Sequence, residues 1–260
     1  MKYFIKPLCL TSNEFIVYLK RGKMIKGRGC YCGRLDPMAR GKMLVLEGDE
    51  CKNMKNYLSK DKTYEFIIVF GISTDTDDIM GLFNKKPSST NFSLLKQEKI
   101  YKDSFQKAIQ KIKYLEYQTF HKYSSYVLRK NGKRNPLWKW EKMGQLNENE
   151  IPGKKIKIYN LLEQNKCNMD FKDLLIRWTE LIDNVNKKHK FRQNEIIQQY
   201  KTLIEHVNEQ NKIRKEPMKI LCVKYKIKVS SGFYVRQFIC DLKREIDFPL
   251  VVYDINRVEI

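Results

Sequence analysis

The chain alternates between short apolar runs and stretches in which apolar residues recur at helical spacing. Runs dense in β-branched and aromatic residues predict buried strands, and apolar residues three or four positions apart predict amphipathic helices. The predicted strands are residues 2–6, 43–46, 64–70, 155–161 and 220–229, with a last strand from residue 250. The predicted helices are one capped by Thr11 or Ser12, others at 49–58, 103–114 and 234–246, and a helical hairpin within 170–212. We therefore expect one domain over residues 1–260 that carries a helical insertion.

Two apolar stripes define the predicted hairpin. Its stripe residues are Phe171, Leu174, Leu175, Trp178, Leu181, Ile182 and Val185, followed by Ile196, Ile197, Tyr200, Leu203, Ile204 and Val207. Such stripes are typical of amphipathic helices that face a core. We therefore expect Trp178 to be a core residue and not part of a ligand site.

Polar stretches separate these elements. The Lys-rich residues 19–29 are predicted to be a loop, and residues 73–89, which include Gly81 and Pro87, an exposed loop. Residues 121–144 combine many cations with aromatic side chains. This last composition is typical of a nucleic-acid contact surface, where bases stack on rings and cations follow the phosphates.

The formal net charge is +21, from 51 Lys and Arg against 30 Asp and Glu, which favours a polyanionic partner over a neutral small substrate. Compositional bias is the alternative, because Lys, Asn and Ile are all abundant. The seven cysteines lack the spacing of a disulfide framework, and no secretory signal or long apolar run is evident. We therefore expect an intracellular location, in the cytoplasm or the nucleus, and no membrane partner.

Three motifs, in order along the chain, carry the candidate chemistry. They are CGRLDPMARG at 32–41, KDKTYEFIIVFGISTDTDDIMG at 60–81, and SSGFYVRQFICDL at 230–242. Together they resemble the TruB family of pseudouridine synthases, in which G-x-L-D-P-x-A-x-G contains the catalytic aspartate. IKPLCLTSNE at 5–14 and HKYSS at 121–125 are weaker matches to the same family. The resemblance thus extends over essentially the whole chain.

The resemblance implies an α+β fold, with a central, mainly antiparallel sheet and helices on its faces. It also implies the isomerisation of uridine to pseudouridine in RNA, without a cofactor or a metal. Asp36 matches the catalytic aspartate, Arg236 the arginine that pairs with it, and Tyr64 the tyrosine that stacks on the target base. The alternatives are a turn or capping role for Asp36, a core role for Tyr64 and a surface role for Arg236.

The resemblance also predicts RNA contacts. We expect them from Tyr31, which replaces a family histidine, and from Arg34, Lys62, Tyr123, Arg129, Lys130, Lys133, Arg134 and Ile255. Residues 121–144 correspond to the RNA-gripping thumb of the family. Relatives usually carry a carboxy-terminal RNA-binding domain of the PUA type, and we expect this chain to lack one. The thumb and the 170–212 hairpin are candidate replacements.

Two clusters have competing interpretations. Lys187, Lys188, Lys190 and Arg192, at the bend of the hairpin, either follow RNA phosphates or belong to a solvated loop. Asp75, Asp77 and Asp78 suggest a metal site, but capping roles within a loop are favoured because no histidine accompanies them. A zinc site assembled from Cys30, Cys32 and the three histidines is disfavoured by their spacing.

The T-D-T-x-D pattern favours a stand-alone enzyme that acts on the T-loop uridine of tRNA without a guide RNA. One alternative is a relaxed synthase that acts on mRNA or other structured RNA. Another is an RNA-binding or tRNA-folding protein that has lost catalysis, suggested by Tyr31. A scaffold that binds other proteins, or dimerises, through the helical hairpin is a third.

Overall fold

The computed structural model describes residues 1–84, 89–189 and 191–260. In these ranges, seven strands form one sheet in the order β1-β3-β11-β4-β10-β9, with β2 paired to β3. Each neighbouring pair in this sheet is antiparallel except β11 and β3, which run parallel through residues 255–257 and 39–41. The expected α+β fold with a mainly antiparallel central sheet is therefore confirmed.

The strands of the main sheet are β1 (Lys2–Lys6), β2 (Gly29–Cys32), β3 (Ala39–Glu47), β4 (Lys62–Phe70), β9 (Ile158–Asp170), β10 (Lys219–Val229) and β11 (Leu250–Glu259). Two small antiparallel pairs join β5 (Tyr117–Thr119) to β8 (Gly153–Lys155) and β6 (Val127–Lys130) to β7 (Lys133–Pro136). The helices are α1 (Ser12–Arg21), α2 (Met54–Leu58), α3 (Leu94–Ile100), α4 (Gln106–Ile112), α5 (Leu137–Lys142), α6 (Phe171–Asp183), α7 (Gln193–Arg214) and α8 (Val235–Ile246). A π-helical segment, Tyr101–Phe105, joins α3 to α4.

Strand β4 is apolar on both faces because helices cover the sheet on both sides. Phe66, Ile68 and Phe70 belong to one core, together with residues of α1, α4 and α8. Val69 and its neighbour Ile67 contact a second core, built largely by α6 and α7. Since side chains alternate across a strand, one continuous apolar run supplies both cores.

The predicted helical hairpin is confirmed as α6 and α7. Trp178 and Tyr200 are both 0% exposed, and their rings meet edge to face at 5.9 Å between centroids. Trp178 also packs against Tyr253 of β11. The stripe is therefore core, as expected, and it holds the hairpin against the sheet.

Several predictions from the sequence differ from the structure. The loop predicted at 19–29 is shorter, because α1 continues to Arg21 and β2 begins at Gly29, and the strand predicted at 155–161 begins at Ile158 and continues to Asp170. The loop expected to be exposed at 73–89 is instead buried from residue 76 to residue 81, because its polar groups are hydrogen-bonded inside the chain. Residues 85–88 of that prediction lie outside the described residues, as does Lys190.

Of the helices in the described ranges, none combines the length and the apolar character that crossing a bilayer requires.

Candidate active site

Asp36 lies in the turn between β2 and β3, and several contacts hold this turn. The Ser12 hydroxyl donates to the Leu35 carbonyl at 2.9 Å and accepts from the Leu35 amide at 3.0 Å. Gly33 has a φ of +83°, a backbone conformation that favours glycine, and its carbonyl accepts a hydrogen bond from Arg257 at 3.0 Å. The Asp36 side chain is 37% exposed, so a rigid turn presents its carboxylate to the surroundings.

Arg236, in the first turn of α8, faces that carboxylate. Its Nε donates to Oδ2 of Asp36 at 2.8 Å, and its side chain is only 10% exposed. A second guanidinium nitrogen donates to the Thr76 carbonyl at 3.3 Å. Burial opposes the ionisation of Asp36, but the adjacent Arg236 guanidinium outweighs it and holds the pKa of that carboxyl below its usual range. Asp36 is therefore an ionised carboxylate at neutral pH.

A second carboxylate shares the same arginine. Asp78 Oδ2 lies 3.7 Å from the Arg236 Nε. The other Asp78 oxygen accepts from the Thr76 hydroxyl at 2.7 Å and from the Met80 amide at 2.9 Å. Burial, with a smaller contribution from the charge of Asp36, raises the pKa of Asp78 to about 6. One cation thus sits between two carboxylates, and removing it would leave the buried Asp78 and the partly exposed Asp36 without their shared partner.

His121 completes this network, although sequence reasoning had considered it only as a zinc ligand. Its Nε2 lies 3.0 Å from Asp77 Oδ2, and its Nδ1 faces the Tyr123 amide at 3.1 Å and the Arg236 guanidinium at 3.4 Å. Nδ1 therefore accepts and Nε2 carries the proton. Burial and the charge of Arg236 lower the pKa of His121, so the ring is neutral. Lys243 neutralises Asp77 from the other side.

A cleft of about 480 Å³ opens above the Asp36 and Arg236 pair. This volume is in the range of small-ligand sites. The aromatic and basic side chains in its lining are Tyr31, Arg34, Tyr123, Trp138, Lys142, Lys188, His189, Phe191 and Arg192. A second cavity, of about 870 Å³, is lined by Asp77 and His121 but not by Asp36, so the smaller cleft is the candidate site.

Comparison with known proteins identifies the family. The family model for TruB family pseudouridylate synthase (N terminal domain) matches residues 21–176, more than half of the chain. The chain belongs to the TruB family. The matched range contains Asp36, Tyr64, Asp78 and His121, whereas Arg236 lies beyond it.

Curated TruB relatives resemble parts of the chain. The tRNA pseudouridine synthase B of Caldanaerobacter subterraneus subsp. tengcongensis is 31% identical over 157 residues, which are 60% of this chain and 50% of that protein. The protein of the same name from Caldicellulosiruptor saccharolyticus is 40% identical over 76 residues, 29% of this chain and 26% of that one. These matches thus span half or less of the relatives' length.

Solved structures resemble the chain more distantly. A Cbf5-Nop10-Gar1 complex gives a TM-score of 0.47 at 13% identity, covering 97% of this chain and 46% of that chain. An H/ACA RNP bound to a substrate RNA containing 2'-deoxyuridine gives 0.43 at 11% identity, covering 97% and 44%.

Several TruB-based predictions fall in or beside the cleft. Tyr31 and Arg34 interact there, with the Arg34 guanidinium donating to the Tyr31 hydroxyl at 3.0 Å and lying 5.9 Å from its ring centroid. The Tyr123 hydroxyl donates to Asp75 at 2.9 Å. The structure therefore places these three predicted RNA contacts around Asp36.

Tyr64 lies deeper than the cleft residues. It is 7% exposed and packs in the core that contains β4 and α8. Near it, burial, with a smaller contribution from the charge of Asp36, raises the pKa of Tyr234 to about 12. Tyr234 is the N-cap residue of α8, two residues before Arg236, and the sequence prediction had not selected it as a site residue.

Two residues predicted to contact RNA, Lys62 and Ile255, are buried. Lys62 is 8% exposed, and its ammonium donates to the Lys60 carbonyl at 2.5 Å and the Leu58 carbonyl at 3.4 Å. Burial lowers the pKa of Lys62 to about 8. Ile255 is 5% exposed and packs in the main core, because its β11 backbone pairs with Ala39 of β3. Both side chains are therefore buried within the protein, and their contact with RNA stays a prediction.

The predicted thumb folds as the β6–β7 hairpin followed by α5. Arg129 lies opposite Arg134 across the hairpin, and Lys130 lies opposite Lys133. Lys130 pairs with Glu150 at 2.6 Å, while the other three cations are exposed. Like charges directly opposite one another on a sheet are destabilising. A bound polyanion would relieve this repulsion.

The acidic loop has partners within the chain. Asp75 accepts from the Leu82 amide at 2.9 Å and pairs with Arg192 at 2.8 Å, and Asp77 pairs with His121 and Lys243. Among the described residues, no group of three or more His, Cys, Asp or Glu side chains is arranged to hold a metal ion. The acidic residues act as the structural hydrogen-bond acceptors that the loop interpretation predicted.

Proposed function

We propose that the chain is an RNA pseudouridine synthase that converts the T-loop uridine of tRNA to pseudouridine without a guide RNA. The observation that carries this proposal is the ionised Asp36 carboxylate, held by Arg236 at 2.8 Å at the base of a cleft. Membership of the TruB family and the names of the curated relatives support the substrate class.

The chemistry requires an anionic oxygen beside the sugar. In one route the Asp36 carboxylate attacks C1' of the ribose as the bond from C1' to N1 of uracil breaks, and the uracil leaves as an anion. In the other route Asp36 takes the C2' proton and a glycal forms. The uracil then rotates, and its C5 bonds to C1' as the ester bond between Asp36 and C1' breaks in the first route, or as Asp36 returns the proton to C2' of the glycal in the second. Loss of the proton from C5 and gain of a proton at N1 complete the product. Neither route needs a cofactor, and both need an ionised aspartate.

Access to Asp36 requires the uridine to leave its stack. Enzymes that act on a base in structured nucleic acid expose it by flipping, at a cost of a few kcal/mol. The rings of Tyr31, Tyr123 and Trp138 line the cleft and offer surfaces on which bases can stack. Stacking on an aromatic side chain contributes about 1–3 kcal/mol per base. The cleft can therefore offset the cost of extruding the target.

Replacing Tyr64 by phenylalanine should lower the turnover number and leave RNA affinity almost unchanged. Phenylalanine keeps the ring that we expect to stack on the base and the packing of a buried side chain, but it removes the hydroxyl that we expect to relay a proton. A general acid or base contributes roughly 10²–10⁴-fold to a rate. Single-turnover rates, compared with RNA dissociation constants, check this split. Equal losses in rate and affinity would instead indicate a structural role.

Replacing both Arg129 and Arg134 by alanine should weaken RNA binding and leave thermal stability unchanged or slightly higher. The two arginines face each other across the β6–β7 hairpin, so their removal relieves like-charge repulsion. Each lost phosphate contact should reduce the slope of log Kd against log salt by roughly 0.7–0.9. The matched control is the exposed pair Lys102 and Lys107, also changed to alanine. If both double variants bind RNA alike, the thumb is not an RNA contact.

The substrate is tested by mapping pseudouridine in three RNAs: full-length tRNA, its isolated T stem-loop, and an unrelated structured RNA. We expect modification of the T-loop uridine in the first two RNAs, with no other RNA added. Equal modification of the unrelated RNA would favour the relaxed synthase. Tight tRNA binding without modification would favour an RNA-binding protein that has lost catalysis.

A further inference from the structure

The bend of the α6–α7 hairpin, residues 186–189 with 191 and 192, forms part of the wall of the Asp36 cleft. Lys188, His189, Phe191 and Arg192 line this cleft together with Asp36. The hairpin therefore does more than cover the sheet: its free end reaches the candidate active site.

Glu14, in the first turn of α1, contacts one side of the bend. Its carboxylate accepts from Asn186 at 2.7 Å and lies 3.0 Å from His189 Nε2. The same carboxylate accepts from the Thr11 amide at 2.8 Å, in the capping box that starts α1. Burial opposes ionisation of Glu14, but these hydrogen bonds outweigh it and lower its pKa to about 2. The carboxylate is therefore ionised at all pH values at which the protein would be assayed.

Asp75 forms an ion pair with the other side of the bend. The Arg192 guanidinium pairs with Asp75 at 2.8 Å and lies 5.5 Å from the ring centroid of Tyr123. Tyr123 donates its hydroxyl to the same Asp75. The bend is thus tied to the buried loop that carries Asp78, so the two anchors hold it in one place beside the catalytic pair.

The two neighbouring lysines of the bend differ in their surroundings. Lys187 pairs with Asp183 at 3.0 Å, one helical turn earlier, and does not line the cleft. Lys188 lines the cleft, and its ammonium has no partner among the residues that the structure describes. An unpaired lysine held beside a cleft favours an anion there, and a fixed position lowers the conformational entropy lost on binding.

We propose that the hairpin bend is an RNA-backbone contact of the catalytic cleft, in which Lys188 binds a phosphate next to the uridine that enters the cleft. This inference rests on the proposed function, since it assumes that RNA occupies the cleft. It divides the basic cluster of the bend: Lys188 contacts the phosphate, Arg192 positions the bend, and Lys187 is a solvated ion pair.

The test compares Lys188→Ala with Lys187→Ala, two equal charge changes at adjacent positions. Dissociation constants for a labelled T stem-loop are measured at several salt concentrations, after thermal unfolding shows that both variants are folded. Lys188→Ala should reduce the slope of log Kd against log salt by roughly 0.7–0.9, the value for one lost phosphate contact. Lys187→Ala should keep the slope of the original chain.

This design tests the phosphate contact and the proposed function separately. Tritium release by the original chain, measured in parallel, tests the proposed function, and the binding slope does not depend on turnover. Equal slopes for the two variants in an active enzyme would overturn the bend contact and leave the proposed function intact. A lower slope for Lys188→Ala in a chain without turnover would support the contact and overturn the enzyme. A chain that binds no T-arm RNA would overturn both.

Discussion

Exchanging Asp36 for asparagine should reduce pseudouridine formation by about 10⁴-fold or more, the range found when a catalytic nucleophile is removed. Asparagine keeps the shape of the side chain but cannot attack C1' or accept the C2' proton as a carboxylate does. The protein should remain folded, because Arg236 still faces Asp78 at 3.7 Å. Release of tritium from RNA labelled at C5 of uridine measures the rate.

The matched control for this variant is Asp49→Asn, at a carboxylate that is 92% exposed and pairs with Lys52. This control should retain the activity of the original chain. RNA affinity should be similar in both variants, since a neutral amide in place of Asp36 does not repel phosphates. Retention of more than a tenth of the activity by Asp36→Asn would show that another group performs the chemistry.

Replacing Arg236 by alanine should cost about 3–5 kcal/mol in the free energy of unfolding, as expected when one partner of a buried ion pair is removed. Asp36 and Asp78 would then face each other without their shared cation. The matched control is Arg244→Ala on the same helix, where the arginine is 59% exposed and pairs with an exposed Glu148. Denaturant unfolding should show a large loss for Arg236→Ala and almost none for Arg244→Ala.

The same variant should also change the pH dependence of activity. Arg236 lowers the pKa of Asp36, so in the original chain the stabilising ionised form is lost only as pH falls below the usual range of an aspartate. Without the guanidinium, burial and Asp78 both raise the pKa of Asp36. Any remaining activity of Arg236→Ala should therefore increase as pH rises through neutrality, where the original chain has reached its plateau. Identical pH profiles would contradict the electrostatic role of Arg236.

Removing one of the two carboxylates should restore part of the stability that Arg236→Ala loses. Adding Asp78→Asn to Arg236→Ala removes one of the two unpaired charges. Without Arg236 the pKa of Asp78 should lie above the value of about 6 that it has beside Arg236. We therefore expect the stability advantage of the double variant over Arg236→Ala to grow as pH rises through 6 and beyond. Unfolding measured on both sides of pH 6 checks this difference.

Elements whose apolar residues follow a regular spacing could be predicted from the sequence. The apolar run of β4 and the stripes of α6 and α7 lie where their spacing indicated, because burial on two faces or one face leaves a clear pattern. Strand β2 was missed because its sequence, Gly-Cys-Tyr-Cys, follows a Lys-rich segment and has little apolar alternation. Strand β2 forms because its backbone pairs antiparallel with β3.

Motifs predicted the pairing of Asp36 with Arg236 better than the surroundings of this pair. Asp36 and Arg236 are 200 residues apart, and only the family pattern indicated that they meet. Residues 74–78 appeared to be a solvent-exposed loop because they are polar, but hydrogen bonds inside the chain satisfy them while buried. Their burial depends on contacts with β11 and α8, which a local sequence pattern does not encode.

The burial of Lys62, Ile255 and His121 could not be predicted from the sequence either. A lysine and an isoleucine in a family motif gave no sign that Lys62 and Ile255 would be enclosed by the sheet. His121 carried only the weak signal of lying two residues before Tyr123 in a motif-like segment. Its partner Asp77 lies 44 residues away, so only the folded chain brings the two together.

The most direct test of the central claim uses the original chain and a T-arm transcript with tritium at C5 of uridine. Isomerisation releases the C5 hydrogen, so we expect tritium in the solvent and a single pseudouridine mapped to the T loop, without guide RNA or added metal. Absence of release at saturating RNA, from a chain shown to bind that RNA, would contradict the proposal that this protein is a pseudouridine synthase.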